Sequence, residues 1–160
     1  MAQMIFVPMT RDEVAALRSG PVRSGVAADS YSGCAATASL VASLEADTVI
    51  EEVEFAALSN AGVLALVLKP SPRLVVAAEV REDQVTDLGG PWGEVEVDGL
   101  AWAQVRALFA DEPAAWDAAK LASKAVAGQG LGAALAAPEV AALLDEYDLL
   151  WYAPEELDQL

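Results

Sequence analysis

The sequence predicts a single α+β domain over residues 1–160, in which four or five helices pack on a mixed or mostly antiparallel sheet of four to six strands. Hydrophobic residues make up 55% of the 160 residues, which is enough to bury a sizeable core. Short segments rich in Val, Ile and aromatic residues, typical of strands, are interspersed with alanine-rich segments typical of helices. No internal repeat is visible, and most chains of about this length form one domain.

The N-terminal segment predicts a strand, a helix and a second strand. Met4–Pro8 ("MIFVP") is a short apolar run, typical of a strand covered on both faces. Thr10 and Glu13 have the spacing of a capping box, so a helix is expected at about Arg11–Ser19. "VRSGVAADSYSG" predicts a weak strand around Val26–Tyr31.

The next segment predicts a short helix in "CAATASLVASLEA", followed by the longest helix of the fold. Asp47 is the candidate N-cap of the long helix, and Pro70 marks its end. Its second half, "VLALVL", is apolar all round and is therefore expected to be buried on several sides. Gly62 marks either a close crossing or a break.

Three strands are expected in the middle of the chain. Arg73–Val80 ("RLVVAAEV") has the clearest strand pattern. In "WGEVEVDG", Val95 and Val97 alternate with acidic residues, which predicts a half-exposed strand. "LAWAQVRALFADEP" suits a helix or a strand, and we favour a strand at Val105–Ala110.

The following helices are predicted from their boundary residues. Asp111 is a candidate cap, Gly128–Gly132 ("GQGLG") a flexible joint, and Pro138 the first residue of another helix. The buried positions expected on the first of these helices are Trp116, Ala119, Leu121 and Ala122.

The tail "YDLLWYAPEELDQL" leaves two interpretations open. In "DLLWYA", Leu149 and Trp151 face one way, and Leu150 and Tyr152 the other. Apolar residues on both faces favour an interior strand that closes the core. The alternative is an exposed peptide that binds a partner. "EELDQL" is expected to form a short helical turn.

The charge balance restricts the partners. Nine Lys and Arg residues stand against 25 Asp and Glu residues, for a net charge of −16. This excess argues against nucleic acids and anionic membranes as partners. Three explanations of the acidic excess remain: solubility, an acidic face that engages a basic partner, and binding of a divalent metal. The start of the chain lacks the features of a signal peptide, and no long apolar span is visible, so a cytoplasmic protein is expected.

Few catalytic arrangements are open to this composition. With no His and one cysteine, Cys34, the ordinary nucleophilic triads and zinc sites are excluded, and Cys34 is expected to be a buried thiol. "GQGLG" follows a predicted helix rather than a strand, so it does not fit a phosphate loop. Glu51 and Glu54 could share a helix face and bind Mg²⁺, although a solvated helix start explains them as well.

Arg106 is the candidate for an anion anchor, because it lies in a predicted strand of a very acidic chain. The alternative is an ion pair on an exposed sheet face. A pocket lined by Arg106, Glu79, Trp102 and Trp92 would indicate a binding site.

Several motifs occur in an order that resembles a known group. They are "IFVPMT", "EEVEFAAL", "RLVVAAEV", "VRALFADEPAAW" and "LLWYAPEEL". The chain resembles a family of small uncharacterised actinobacterial proteins that begin with a VPAT-like strand and end in LLWYA-like residues. "GQGLGAALAAP" has no counterpart in these motifs. The resemblance implies one domain and carries over no activity and no catalytic residues.

Two hypotheses for the function follow. The first is a non-enzymatic interaction or regulatory protein, without a cofactor, whose partner is another protein or a second copy of itself. The second is a small carboxylate-based hydrolase that works with or without Mg²⁺.

Overall fold

In the computed structural model, which describes residues 2–20, 30–69 and 72–160, one antiparallel sheet of seven strands carries six α-helices within these ranges. In chain order the strands are β1 (Ala2–Pro8), β2 (Ser30–Ala35), β3 (Leu74–Arg81), β4 (Val85–Asp87), β5 (Glu94–Asp98), β6 (Val105–Ala110) and β7 (Leu150–Tyr152). The helices are α1 (Arg11–Ser19), α2 (Ala38–Ser43), α3 (Ile50–Leu68), α4 (Trp116–Val126), α5 (Leu131–Leu135) and α6 (Pro138–Glu146).

The strand order is β4-β5-β2-β1-β3-β6-β7, and every neighbouring pair is antiparallel. The sheet is therefore antiparallel throughout the described residues, which decides between the two sheet types expected. The apolar β1 lies in the centre of this order. The two edges are β4 and β7, each only three residues long.

The sheet is covered on both faces. On one face α3 packs against β1, β2 and β3, and α4 and α5 pack against α3. The core of this face includes Phe6, Val75 and Ala77. On the other face Val14 of α1 and Leu157, in a 3₁₀ helix at Pro154–Gln159, are buried against the sheet. Two-sided burial explains why the central strands read as continuous apolar runs.

Side-chain capping explains the start of α1 but not the start of α3. The capping box that begins α1 is confirmed, since the Thr10 hydroxyl accepts from the Glu13 N–H at 3.1 Å and Glu13 Oε1 accepts from the Thr10 N–H at 2.9 Å. Asp47 does not cap α3, which begins after Val49 with no side-chain cap. The helix continues through Gly62 and ends at Leu68, so Gly62 marks a close crossing and not a break.

The sheet has more strands than the four to six expected, and the helices outnumber the four or five expected. β4 was missed because three residues are too few for a visible alternation. β2 begins at Ser30 and continues through Ala35; the rest of the expected Val26–Tyr31 strand lies outside the described residues. The expected joint at Gly128–Gly132 is partly helical, because α5 begins at Leu131.

The favoured strand at Val105–Ala110 is confirmed as β6, which has a bulge opposite Ala77 and Ala78 of β3. In β5, Val95 and Val97 are buried, as their alternation with acids predicts.

The buried face predicted for α4 was half wrong. Ala119 and Ala122 are fully buried, but Trp116 and Leu121 are exposed. Asp111 is not a helix cap either, because its carboxylate is buried in an ion pair with Arg73.

The tail strand is also corrected. Its facing is as predicted, since Trp151 lies opposite Phe109 and Tyr152 opposite Leu108. Its interior position was wrong, because β7 is an edge strand and Trp151 is exposed. The helical turn after it is confirmed at Pro154–Gln159.

Within the described ranges, no helix combines the length and the apolar character needed to cross a membrane.

Candidate interaction surface

A buried ion pair joins the start of β3 to the end of β6. Arg73 Nη2 contacts Asp111 Oδ1 at 2.7 Å, Nε contacts the same oxygen at 3.0 Å, and the Arg73 backbone N–H donates to Asp111 Oδ2 at 2.8 Å. The two side chains are 2% and 0% exposed. Charge-assisted bonds in a dry interior are strong and directional, so they fix Asp111 at this end of the sheet.

The same guanidinium holds the chain segment between α6 and β7. Arg73 Nη2 donates to the Tyr147 carbonyl at 3.2 Å. On α3, a Cβ at Gly62 would lie 3.2 Å from Leu149 Cδ1 and 3.7 Å from Arg73 Nη1, so glycine leaves the room that both side chains occupy. The start of β7 is thereby fixed by contacts from β3 and α3.

β7 pairs with β6 on one side only. Leu150, Trp151 and Tyr152 lie opposite Ala110, Phe109 and Leu108. Trp151 shares the face covered by α3 with the half-buried Phe109, and Leu150 points to the face covered by α1. Both are exposed, Leu150 at 40% and Trp151 at 60%. In the described part of the chain, no hydrogen bond reaches the outer side of this strand.

Trp116 adds a second exposed indole at the same end of β6. It begins α4, and its Nε1–H donates to the Asp111 carbonyl at 3.4 Å. This long hydrogen bond ties the ring to the residue that follows β6. The ring remains 47% exposed.

Three carboxylates lie around this part of the surface. The pKa of Tyr147 is raised by its partial burial and then by the carboxylates of Glu146, Glu112 and Asp117. The charges of all three acids therefore act on the Tyr147 hydroxyl, and Tyr147 lies shortly before β7 in the chain. We call this surface the aromatic corner; its residues are Glu112, Trp116, Asp117, Glu146, Tyr147, Leu150 and Trp151.

The charge of the wider region has the same sign. Residues 125–160 include seven Asp and Glu residues and no Lys or Arg. Arg73 adds no exposed positive charge, because it is buried against Asp111. The exposed Lys120, on α4, is the cation one turn after Trp116.

A shallow groove between α4 and α6 adjoins the aromatic corner. It has a volume of about 260 Å³, and Glu146 belongs to both surfaces. The groove is lined mainly by apolar side chains, among them Leu121 and Leu143, together with Glu139. The exposed Leu121 extends the apolar surface beyond the two indoles.

The residues singled out from the sequence do not line one pocket. Arg106 and Glu79 do meet, with Nη2 and Oε1 4.0 Å apart, and both are about half exposed. Trp102 packs on the face covered by α1. Trp92 lies on the opposite face, where its carbonyl accepts from Asn60 Nδ2 at 2.9 Å. Arg106 therefore forms an ion pair on an exposed sheet face, which was the alternative interpretation from the sequence. Its role in ligand binding stays a prediction.

Among the described residues, Cys34 is unreactive in its surroundings and the carboxylates form no metal-holding group. Cys34 is fully buried, as expected, and burial together with the Glu94 carboxylate raises the pKa of its thiol to about 12. A thiol held neutral in this way is a poor nucleophile. Across residues 2–20, 30–69 and 72–160, no three Asp, Glu or Cys side chains are grouped so that they could hold a metal ion.

A model of one protein family matches residues 4–160. The chain belongs to this family, DUF6912, a family of unknown function. No curated protein and no solved structure matches the chain. The resemblance to a family without an assigned activity is confirmed, and the DUF6912 match also includes the "GQGLGAALAAP" segment.

The aromatic corner was not predicted from the sequence. Helical spacing placed Trp116 on a buried face. Apolar residues on both faces of the tail strand favoured a core position for Trp151, with an exposed peptide as the alternative. For the part of the corner after Lys124, the available signal was the composition, because aromatic residues occur there among acids with no basic residue.

Proposed function

We propose that this DUF6912 protein is a non-enzymatic, cytoplasmic interaction module, which binds a basic segment of another protein at the aromatic corner. One observation supports the proposal above all: two indoles, 47% and 60% exposed, belong to the surface on which three carboxylates raise the pKa of Tyr147. Exposed tryptophans are costly to leave in water and are enriched among the residues that dominate binding energy at interfaces.

The chemistry of the aromatic corner favours Arg or Lys side chains. A cation over an indole ring gains about 0.5–1 kcal/mol at an exposed site and about 2 kcal/mol when desolvated. Pairing with exposed carboxylates adds about 0.2–1 kcal/mol for each pair. Several such contacts together would give a specific, salt-sensitive complex.

A second copy of the chain is a poorer occupant. Each copy carries a net charge of −16, and residues 125–160 include seven acids and no Lys or Arg, with only Asp158 paired to a cation outside the segment, Arg18, among the described residues. Two aromatic corners brought together would therefore repel each other. The same charge opposes nucleic acid, so we expect no salt-sensitive DNA or RNA binding in gel-shift assays.

The test compares two triple variants with the same net charge. Glu112→Gln/Asp117→Asn/Glu146→Gln neutralises the aromatic corner, and Glu51→Gln/Glu52→Gln/Glu54→Gln neutralises the first turns of α3. Each removes three negative charges, so the net charge changes from −16 to −13 in both. The probe is a soluble peptide in which Lys alternates with Val, titrated by calorimetry at low and at high salt.

We expect the corner variant to weaken binding at least tenfold, equivalent to about 1.4 kcal/mol. The α3 variant should weaken it less than threefold. Equal losses in the two variants would show that the peptide responds to net charge alone, and the proposal would then fail. No binding to the unmodified protein at low salt would also count against it.

A further inference from the structure

From the edge of the sheet we infer that the basic segment binds as an added β-strand along the outer side of β7. This inference rests on the proposed function and specifies the form of the partner. The edge position of β7 carries it: β6 occupies one side, and in the described residues the backbone on the other side has no hydrogen-bond partner. Unpaired backbone donors and acceptors of an edge strand are a template for a further strand.

The side chains of β7 suit such an addition. Trp151 is exposed on the face covered by α3 and Leu150 on the face covered by α1. Neighbouring strands lie about 4.8 Å apart, so side chains of an added strand would contact Trp151 on one face and Leu150 on the other. Backbone pairing and apolar contact would thus be available together.

The other edge of the sheet is built differently. β4 is also three residues long, but its exposed side chains are Thr86 and Asp87. Polar and charged side chains are a usual protection of sheet edges against pairing. β7 carries no charged residue and places an exposed tryptophan at its centre, so the two edges are not equivalent.

The acids around β7 determine which strand can bind there. Glu146 and Asp148 precede the strand, and Glu155 and Glu156 follow it. A strand from a second copy would bring the same acids to this edge. An extended segment with Lys or Arg at alternating positions would complement them, and its intervening apolar residues would contact Leu150 or Trp151.

The experiment separates strand addition from other modes of binding. The alternating Lys–Val peptide is compared with a matched peptide of the same sequence, in which alternate backbone amides are N-methylated. Both methylation registers are made, because N-methylation blocks backbone pairing along one edge and leaves charge and side chains unchanged. Affinity is measured by calorimetry, and amide hydrogen exchange of Leu150–Tyr152 is followed by NMR.

We expect one methylation register to weaken binding at least tenfold and the other to have a smaller effect. The unmodified peptide should slow exchange of an outward-facing amide of β7 at least tenfold. Trp151→Lys should weaken binding at least tenfold, whereas the matched edge variant Thr86→Lys should change it less than twofold.

Equal affinity of the unmodified peptide and both methylated peptides would overturn strand addition while leaving the proposed binding at the aromatic corner intact. A concentration-dependent dimer in sedimentation that Trp151→Lys abolishes would instead assign the edge to a second copy. In that case the inference of a basic partner strand would be wrong.

Discussion

Asp111→Asn is the most demanding test of how this fold is held together. The substitution keeps the shape of the side chain but leaves the Arg73 guanidinium without a counter-charge, in a place where both side chains are almost completely buried. Breaking a buried pair in this way costs about 3–5 kcal/mol, against a total stability of about 5–15 kcal/mol for a domain. In a domain of this size 1 kcal/mol lowers Tm by about 2–4 °C, so we expect a decrease of about 6–20 °C.

Urea unfolding measures the loss directly, as a lower transition midpoint at an unchanged slope. The matched control is Asp83→Asn, which removes the exposed pair with Arg81 and should cost less than about 0.5 kcal/mol. The double variant Arg73→Met/Asp111→Leu should recover part of the loss, because no charge remains buried. Recovery stays partial, since the Tyr147 carbonyl loses its donor. A loss below about 1 kcal/mol for Asp111→Asn would refute this reasoning.

Three further predictions concern the tail, the first helix and the cysteine. In thermal melts, Leu157→Ala should cost about 2–5 kcal/mol because Leu157 is 1% exposed, whereas Trp151→Ala should cost less than about 1 kcal/mol; similar losses for both would contradict this assignment. Burial raises the pKa of Glu13, but its backbone hydrogen bond and its pair with Lys69 more than offset this, so the net direction is downward. The ionised Glu13 carboxylate therefore stabilises the fold fully above its ordinary pKa of 4.5, and this contribution is lost as the pH falls through its lower folded-state pKa. In urea titrations, Glu13→Gln should lower the free energy of unfolding by less than about 1 kcal/mol at neutral pH, and the difference should disappear in acid. Thiol reagents at neutral pH should label Cys34 only as fast as the protein unfolds, and rapid labelling of the folded protein would contradict its raised pKa and burial.

The sequence was informative where structure is set by local patterns. Alternation at Val95 and Val97 located β5, and the spacing of Thr10 and Glu13 located the start of α1. Both signals depend on residues within a few positions of each other. β4 shows the limit of such signals, because Val85–Asp87 is defined by its pairing with β5 and not by its own composition.

The buried ion pair could not be predicted in the same way. Arg73 and Asp111 are separated by 38 positions, and each has a plausible local explanation at the end of a strand or as a helix cap. The exposure of Trp116 is a related case. Helical spacing placed it on a buried face, but its indole N–H donates to the carbonyl of Asp111, a member of the pair, and the ring stays 47% exposed.

The tail can now be divided between its two interpretations. Leu157 is buried against the sheet, and Leu149 packs beside Gly62, so these positions stabilise the fold as an interior segment would. Leu150 and Trp151 contribute little buried surface, and the partner-binding interpretation fits them better.

The ion pair connects the stability of the fold to the geometry of the aromatic corner. Apolar residues in place of a buried pair are often neutral or stabilising, so stability alone is a weak explanation for Arg73 and Asp111. Apolar replacements could not donate to the Tyr147 carbonyl, as Arg73 does where α6 leads into β7. Apolar replacements would also remove the hydrogen bond that the Asp111 carboxylate accepts from the Arg73 N–H, which helps to hold the backbone after β6. The carbonyl that accepts from the Trp116 indole belongs to that backbone. One buried pair therefore contributes to the position of both exposed indoles, together with the backbone bond from the Asp111 N–H to the Arg73 carbonyl and the pairing of Trp151 with Phe109.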